Sequence, residues 1–191
     1  MARDGRDQGV RLRDLDGDGT AELLVANETT QAVWRFEDGQ WRRWLPMPGR
    51  VRFVDSEGRD AGLRLRDLDG DGRDDLVFSD ATRFGVYLWR DGDAETASGW
   101  SVTALEGERP TAGQADVPMI VRAGTNNGAW FHSRHLWIQN EDTARLPDHV
   151  DRRSFEALLG KVAHMPPPRT AATIAARDAR RSSMPGAIGC Q

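Results

Sequence analysis

Apolar and polar residues alternate in short runs over Val10–Arg13, Glu22–Ala26, Ala32–Phe36 and Gln40–Leu45, and the pattern returns at Leu63–Arg66, Asp75–Ser79, Gly85–Trp89 and Trp100–Leu105. Short runs of this kind, rich in β-branched and aromatic residues, predict strands. Asp38-Gly39 falls between two aromatic runs and accepts the positive φ of a type I′ turn, which makes those two runs a hairpin. The two sets are copies: residues 4–39 align with 57–92 without a gap, and half of the positions are identical. Where residues differ, character persists, with Trp34 against Tyr87, Phe36 against Trp89 and Leu24 against Val77. Four antiparallel strands in a unit of this length describe a propeller blade.

Within each copy the first two strands are joined by one acidic string, Leu12-Arg-Asp-Leu-Asp-Gly-Asp-Gly19 and Leu65-Arg-Asp-Leu-Asp-Gly-Asp-Gly72. Asp14, Asp16 and Asp18 are followed by Glu22, and Asp67, Asp69 and Asp71 by Asp75. So many carboxylates repel one another unless a hard cation sits among them. Calcium takes about 6–8 oxygens, and a loop offering side chains at positions 1, 3, 5 and 9 can wrap it. Position 7, Thr20 or Arg73, need supply only its backbone carbonyl, and Gly19 and Gly72 turn the loop at position 6. A single Asp-x-Asp-x-Asp-Gly also occurs as a solvated turn, but its return with an acid at position 9 favours a metal. An EF-hand is excluded, because its position 12 is a bidentate glutamate and here it is Val25 or Phe78. Two Ca²⁺ sites are therefore expected.

These residues resemble the FG-GAP/VCBS repeat family, which includes the calcium-binding blades of integrin α-chain propellers and many secreted bacterial proteins. The matching motif is Asp-x-Asp-x-Asp-Gly-x-x-Asp with the apolar strand behind it, and the resemblance covers about residues 4–106. It implies Asp14, Asp16, Asp18 and Glu22 as side-chain ligands of one site, and Asp67, Asp69, Asp71 and Asp75 of the other. The first copy departs from the motif by carrying Glu22, whose longer arm reshapes that site. The second is then the tighter. The resemblance also implies an extracellular or periplasmic parent protein, although Met1–Val10 holds no apolar core of a signal peptide.

After Arg109-Pro110 the acidic motif is absent. Met119–Ala123, Ala129–His132 and His135–Gln139 alternate as strands, with Thr125–Gly128 as a turn, and predict a third, incomplete blade without metal. One short helix follows before Gly160, capped by Asp151 or Ser154. The expected fold is all-β: an incomplete β-propeller of two four-stranded calcium-loop blades, a partial third blade and a short C-terminal helix. Its divisions fall at 1–53, 54–108, 109–143, 144–162 and a disordered tail, 163–191, rich in Pro, Ala and Arg. Residues 119–160 also resemble a region of large secreted bacterial proteins that join such repeats to a quinoprotein-dehydrogenase-like propeller and a c-type haem domain. No catalytic residue carries over. A haem attachment needs Cys-x-x-Cys-His, and the chain has one cysteine, Cys190.

The formal charge is −4, which two bound Ca²⁺ would cancel. Arginine dominates the basic residues, and Arg11, Arg13, Arg64 and Arg66 alternate on strands as exposed residues do, so no nucleic-acid surface is read from them. The seven tryptophans fall mainly on strands and suit a core better than a sugar platform. His132 and His135 flank a turn with no third ligand nearby. No apolar run approaches the ~20 residues of a membrane span. Closed propellers have typically 4–8 blades, so the chain is expected either to be a piece of a larger protein or to self-associate through open sheet edges. The expected function is a non-catalytic calcium-binding scaffold with a protein or glycan partner. Its alternatives are the front of a quinoprotein- or haem-linked membrane-associated dehydrogenase, and a carbohydrate-binding propeller.

Overall fold

A computed structural model describes residues 1–93, 95–110, 116–160 and 162; the tail expected over 163–191 lies outside them. A small hairpin, β1 (Ala2–Arg3) and β2 (Arg6–Asp7), leads into the first large sheet. That sheet is the antiparallel meander β3 (Val10–Arg13), β4 (Glu22–Ala26), β5 (Gln31–Glu37) and β6 (Gln40–Pro46). The second repeats its order: β7 (Leu63–Arg66), β8 (Asp75–Ser79), β9 (Arg83–Arg90) and β10 (Gly99–Glu108). A hairpin of β11 (Val121–Arg122) and β12 (Thr125–Asn126) leads into the third sheet, β13 (Ala129–His132), β14 (His135–Ile138) and β15 (Asp151–Ser154), closed by helix α1 (Phe155–Leu159). No sheet among the described residues closes on itself. Among the described residues no helix is long and apolar enough to cross a membrane.

Side chains alternate between the two faces of a strand, and this alternation stacks the sheets. The rear face of the first sheet carries Leu24, Ala26, Val33 and Leu45. It forms one buried cluster with the front face of the second, which carries Leu63, Leu65, Leu76, Phe78, Tyr87 and Trp89. The rear face of the second sheet (Val77, Phe84, Val86, Leu88) joins Leu136, Ile138 and the α1 residues Phe155, Leu158 and Leu159 in another. Because both of its faces are covered, β8 is buried from end to end. Each side chain of this size taken fully out of water contributes about 1.5–3 kcal/mol, so the stack is the main source of stability.

A short lead-in sets each sheet's first strand. Asp7 accepts the Gly9 N–H at 2.8 Å and grips Arg11 with both oxygens; Asp60 does the same for Gly62, at 2.9 Å, and Arg64. The guanidinium beside Asp7, the largest influence on it, holds its carboxyl below the usual carboxylate range. Arg11 and Arg64 are therefore half-buried ion-pair partners, not the exposed residues their alternation implies; Arg13 and Arg66 are exposed. In the third sheet Asn126 takes the place of the aspartate and accepts the Ala129 N–H at 2.6 Å.

The strand expectations hold for both meanders, while the third segment differs in two places. Thr125–Asn126 is a strand, and the turn sits one step earlier at Ala123-Gly124, where both residues have positive φ (49° and 79°). The stretch 140–160 is not one helical approach. Two 3₁₀ turns, Glu141–Arg145 and Pro147–His149, precede a strand over Asp151–Ser154. Only then does Ser154 cap a helix, its hydroxyl accepting the Ala157 N–H at 3.2 Å, and Gly160 ends it with φ 56°.

Candidate metal centre

The strings at 14–22 and 67–75 form the β3–β4 and β7–β8 connections. Each folds around its own carboxylates, whose oxygens accept loop N–H groups. Asp14 accepts from Gly19 at 3.0 Å, Asp16 from Asp18 at 3.2 Å and Asp18 from Thr20 at 2.7 Å. In the second loop Asp67 accepts from Gly70 and Gly72, Asp69 from Asp71 at 3.3 Å and Asp71 from Arg73 at 2.8 Å. These bonds turn the aspartates inward. Asp14, Asp16 and Asp18 each bring a carboxylate oxygen within 4.8 Å of the others, and so do Asp67, Asp69 and Asp71. Either group could hold a metal ion.

The acids at position 9 stand outside these groupings, and their carboxylates brace the loops. Asp75, fully buried, accepts the Leu68 N–H at 2.9 Å with one oxygen and the Trp89 N–H at 2.8 Å with the other. It ties the second loop to β9. Glu22 accepts the Leu15 N–H at 2.8 Å, as Asp75 does at Leu68, but its other oxygen faces the Arg35 Nε at 3.5 Å. That Nε is buried and makes no hydrogen bond. With one more methylene on Glu22, and Arg35 where the second copy has Leu88, a guanidinium stands in place of the backbone donor.

The electrostatics record the crowding. Burial, reinforced by Asp69 and Asp71, pushes the Asp75 carboxyl up to about 7. Burial with Asp69 and Asp67 nearby raises Asp71, and burial with Asp16 and Asp18 raises Glu22. An arginine offsets part of this in each loop. Arg90 Nη1 lies 2.8 Å from Asp69 Oδ2 and 3.6 Å from Asp71 Oδ2. Arg35 pairs with Asp16 while its guanidinium lies over the Trp44 ring. Sequence reading missed both arginines, because they arrive from the third strand of each sheet, about twenty residues away.

Position 7 also holds more than a carbonyl. Thr20 is exposed, but the Arg73 side chain leaves its own loop, pairs with Asp91 at 2.9 Å and reaches Gly17 of the first loop. Arg134 of the third sheet meets the second loop in the same way, donating to the Leu68 carbonyl at 2.6 Å beside Gly70. In the third sheet Ser133-Arg134, both with positive φ, close the β13–β14 hairpin where the other sheets carry acidic loops. His132 and His135 pair across that turn, and no described group of ligand-type side chains includes them.

Neither a protein-family model, nor a curated protein, nor a solved structure matches this chain.

Proposed function

We propose that this chain is a calcium-binding segment of a β-propeller, acting as a non-catalytic structural or interaction scaffold of an exported protein. One observation carries the reading: two sheets of the same strand order each converge three aspartates at the same connection. Asp14, Asp16 and Asp18 hold one cation and Asp67, Asp69 and Asp71 the other. Glu22 and Asp75, with the carbonyls of Thr20 and Arg73, complete an all-oxygen set of the kind calcium takes. The cation removes the carboxylate repulsion of each loop and locks the turn between the first two strands of its blade.

A ligand that binds only the folded chain stabilises it by mass action, so millimolar Ca²⁺ raises Tm and chelator lowers it. A melting curve indifferent to chelator sinks the reading. Calorimetry counts two binding events in the parent chain and one in Asp69→Ala; two events in the variant refute the ligand assignment.

A further inference from the structure

We propose that this chain binds a second copy of itself head to tail, the front face of the first sheet of one copy seated on the rear face of the third sheet of the next. The front face carries Leu12, Leu23, Val25, Trp34, Phe36 and Trp41, and among the described residues nothing packs over it. Leu12 is 46% exposed and Phe36 52%; their counterparts in the second sheet, Leu65 and Trp89, are 6% and 0% exposed. The two faces share one pattern, yet one is core and the other bare. Exposed apolar surface of this extent marks an interaction site.

The chain itself shows what covers such a face. The front face of the second sheet is buried by the rear face of the first, and the front face of the third by the rear face of the second. Among the described residues one rear face remains, that of β13–β14–β15. Trp130, Trp137 and Arg152 stand in register across it, the two indoles stacked 5.9 Å apart and Arg152 5.3 Å from the Trp137 ring. Trp130 is 40% exposed. The rear faces also supply the charge that front faces accept: Arg66 lies 5.1 Å from the Phe131 ring of the next sheet. Arg152 offers the same cation–π contact to the Phe36–Trp41 pair, whose rings meet edge to face at 5.3 Å. A front-to-front dimer would leave both Trp130 faces in water, whereas the head-to-tail contact uses both open ends. Contacts of this heterologous kind form rings when their rotation closes and filaments when it does not. The contact runs through sheet faces, not edges, and depends on the stacking rather than on calcium.

Sedimentation equilibrium of the full chain in calcium buffer tests it. The expected result is a mass that rises with concentration above the 21.2 kDa of one chain. Leu12→Lys on the front and Trp130→Lys on the rear each return the chain to that mass, with far-UV circular dichroism unchanged because both side chains are exposed. Phe36→Lys serves as a second front-face variant. Mixed together, the Leu12→Lys and Trp130→Lys chains associate again, since each keeps the face the other has lost. A single-chain mass at every concentration overturns the inference and gives the face to a different protein. So does a Leu12→Lys chain of undiminished mass, or a pair of variants that do not recombine. Calorimetry on the same samples reads calcium independently, so a chain that binds two ions and stays single refutes this contact alone.

Discussion

Arg73, at the seventh position of the second acidic loop, lays its guanidinium against Gly17, at the fourth position of the first. Gly17 has φ 73°, a conformation that a side chain adopts only with strain, and a Cβ there would strike the guanidinium. Gly17→Ala should therefore cost more than ~1 kcal/mol, seen as a Tm lower by roughly 2–6 °C. In an Arg73→Ala background the same change should cost less, because only the backbone term remains. Equal losses in both backgrounds would show that the contact between loops carries none of the effect.

Arg90 occupies the side of the second aspartate group that faces β9, with Arg90 and Asp69 both only 16% exposed. Charge-assisted bonds of this kind contribute about 1.5–3 kcal/mol. Arg90→Ala should lower the Tm of the chelated protein and raise its calcium affinity severalfold, since the ion no longer competes with a guanidinium. Weaker calcium binding in the variant, titrated against a chelator of known affinity, would be the opposite of what the geometry requires.

The pH dependence of the chelated protein follows from Asp75. Burial lifts its carboxyl from an ordinary 3.8 to about 7 in the folded chain. Between those values the folded chain holds a proton that the unfolded chain has released, so stability falls as pH rises through the window. Denaturant midpoints in chelator should drop from pH 4 toward pH 7 for this contribution, and Asp75→Asn should flatten the slope. An unchanged slope in that variant assigns the titration elsewhere.

The two calcium steps should differ by roughly tenfold, the Asp67–Asp75 loop binding more tightly, because ligand charge and rigidity tune such sites over orders of magnitude. Asp75 is fixed by two backbone donors, whereas Glu22 is fixed by one and by Arg35. Glu22→Asp should tighten the weaker step. If that step is unchanged or weaker still, side-chain length is not the cause.

Most of the strand plan was legible because each signal was local. Val10–Arg13, Glu22–Ala26 and their copies have the bounds that period-two alternation implies, and Ser154 and Gly160 cap the helix as their residue types predict. The aspartate triplets were legible for the same reason, three carboxylates lying in five residues. What escaped was non-local or compensated. The strand Asp151–Ser154 is polar throughout, and pairs with β14 because α1 behind it is anchored in the core. Arg35 and Arg90 meet carboxylates about twenty residues away, a separation at which no sequence pattern links them. Asp75 was legible as an acid at position 9; that it is fully buried and also bonded to the Trp89 N–H depends on how the second sheet is covered.

The third sheet closes its first hairpin with Ser133-Arg134 and no aspartate, and this gives the molecule a direction. Its two acidic turns lie in the first two sheets, while the third sheet is held by Arg134, α1 and the cluster around Leu136. If the acidic turns hold calcium as proposed, withdrawing it should loosen the protein unevenly, as local opening follows local stability. Amides of β3 and β4 should then lose protection first in hydrogen exchange and β13 and β14 keep theirs longest, the segment without an acidic loop serving as the anchor on which the others re-form.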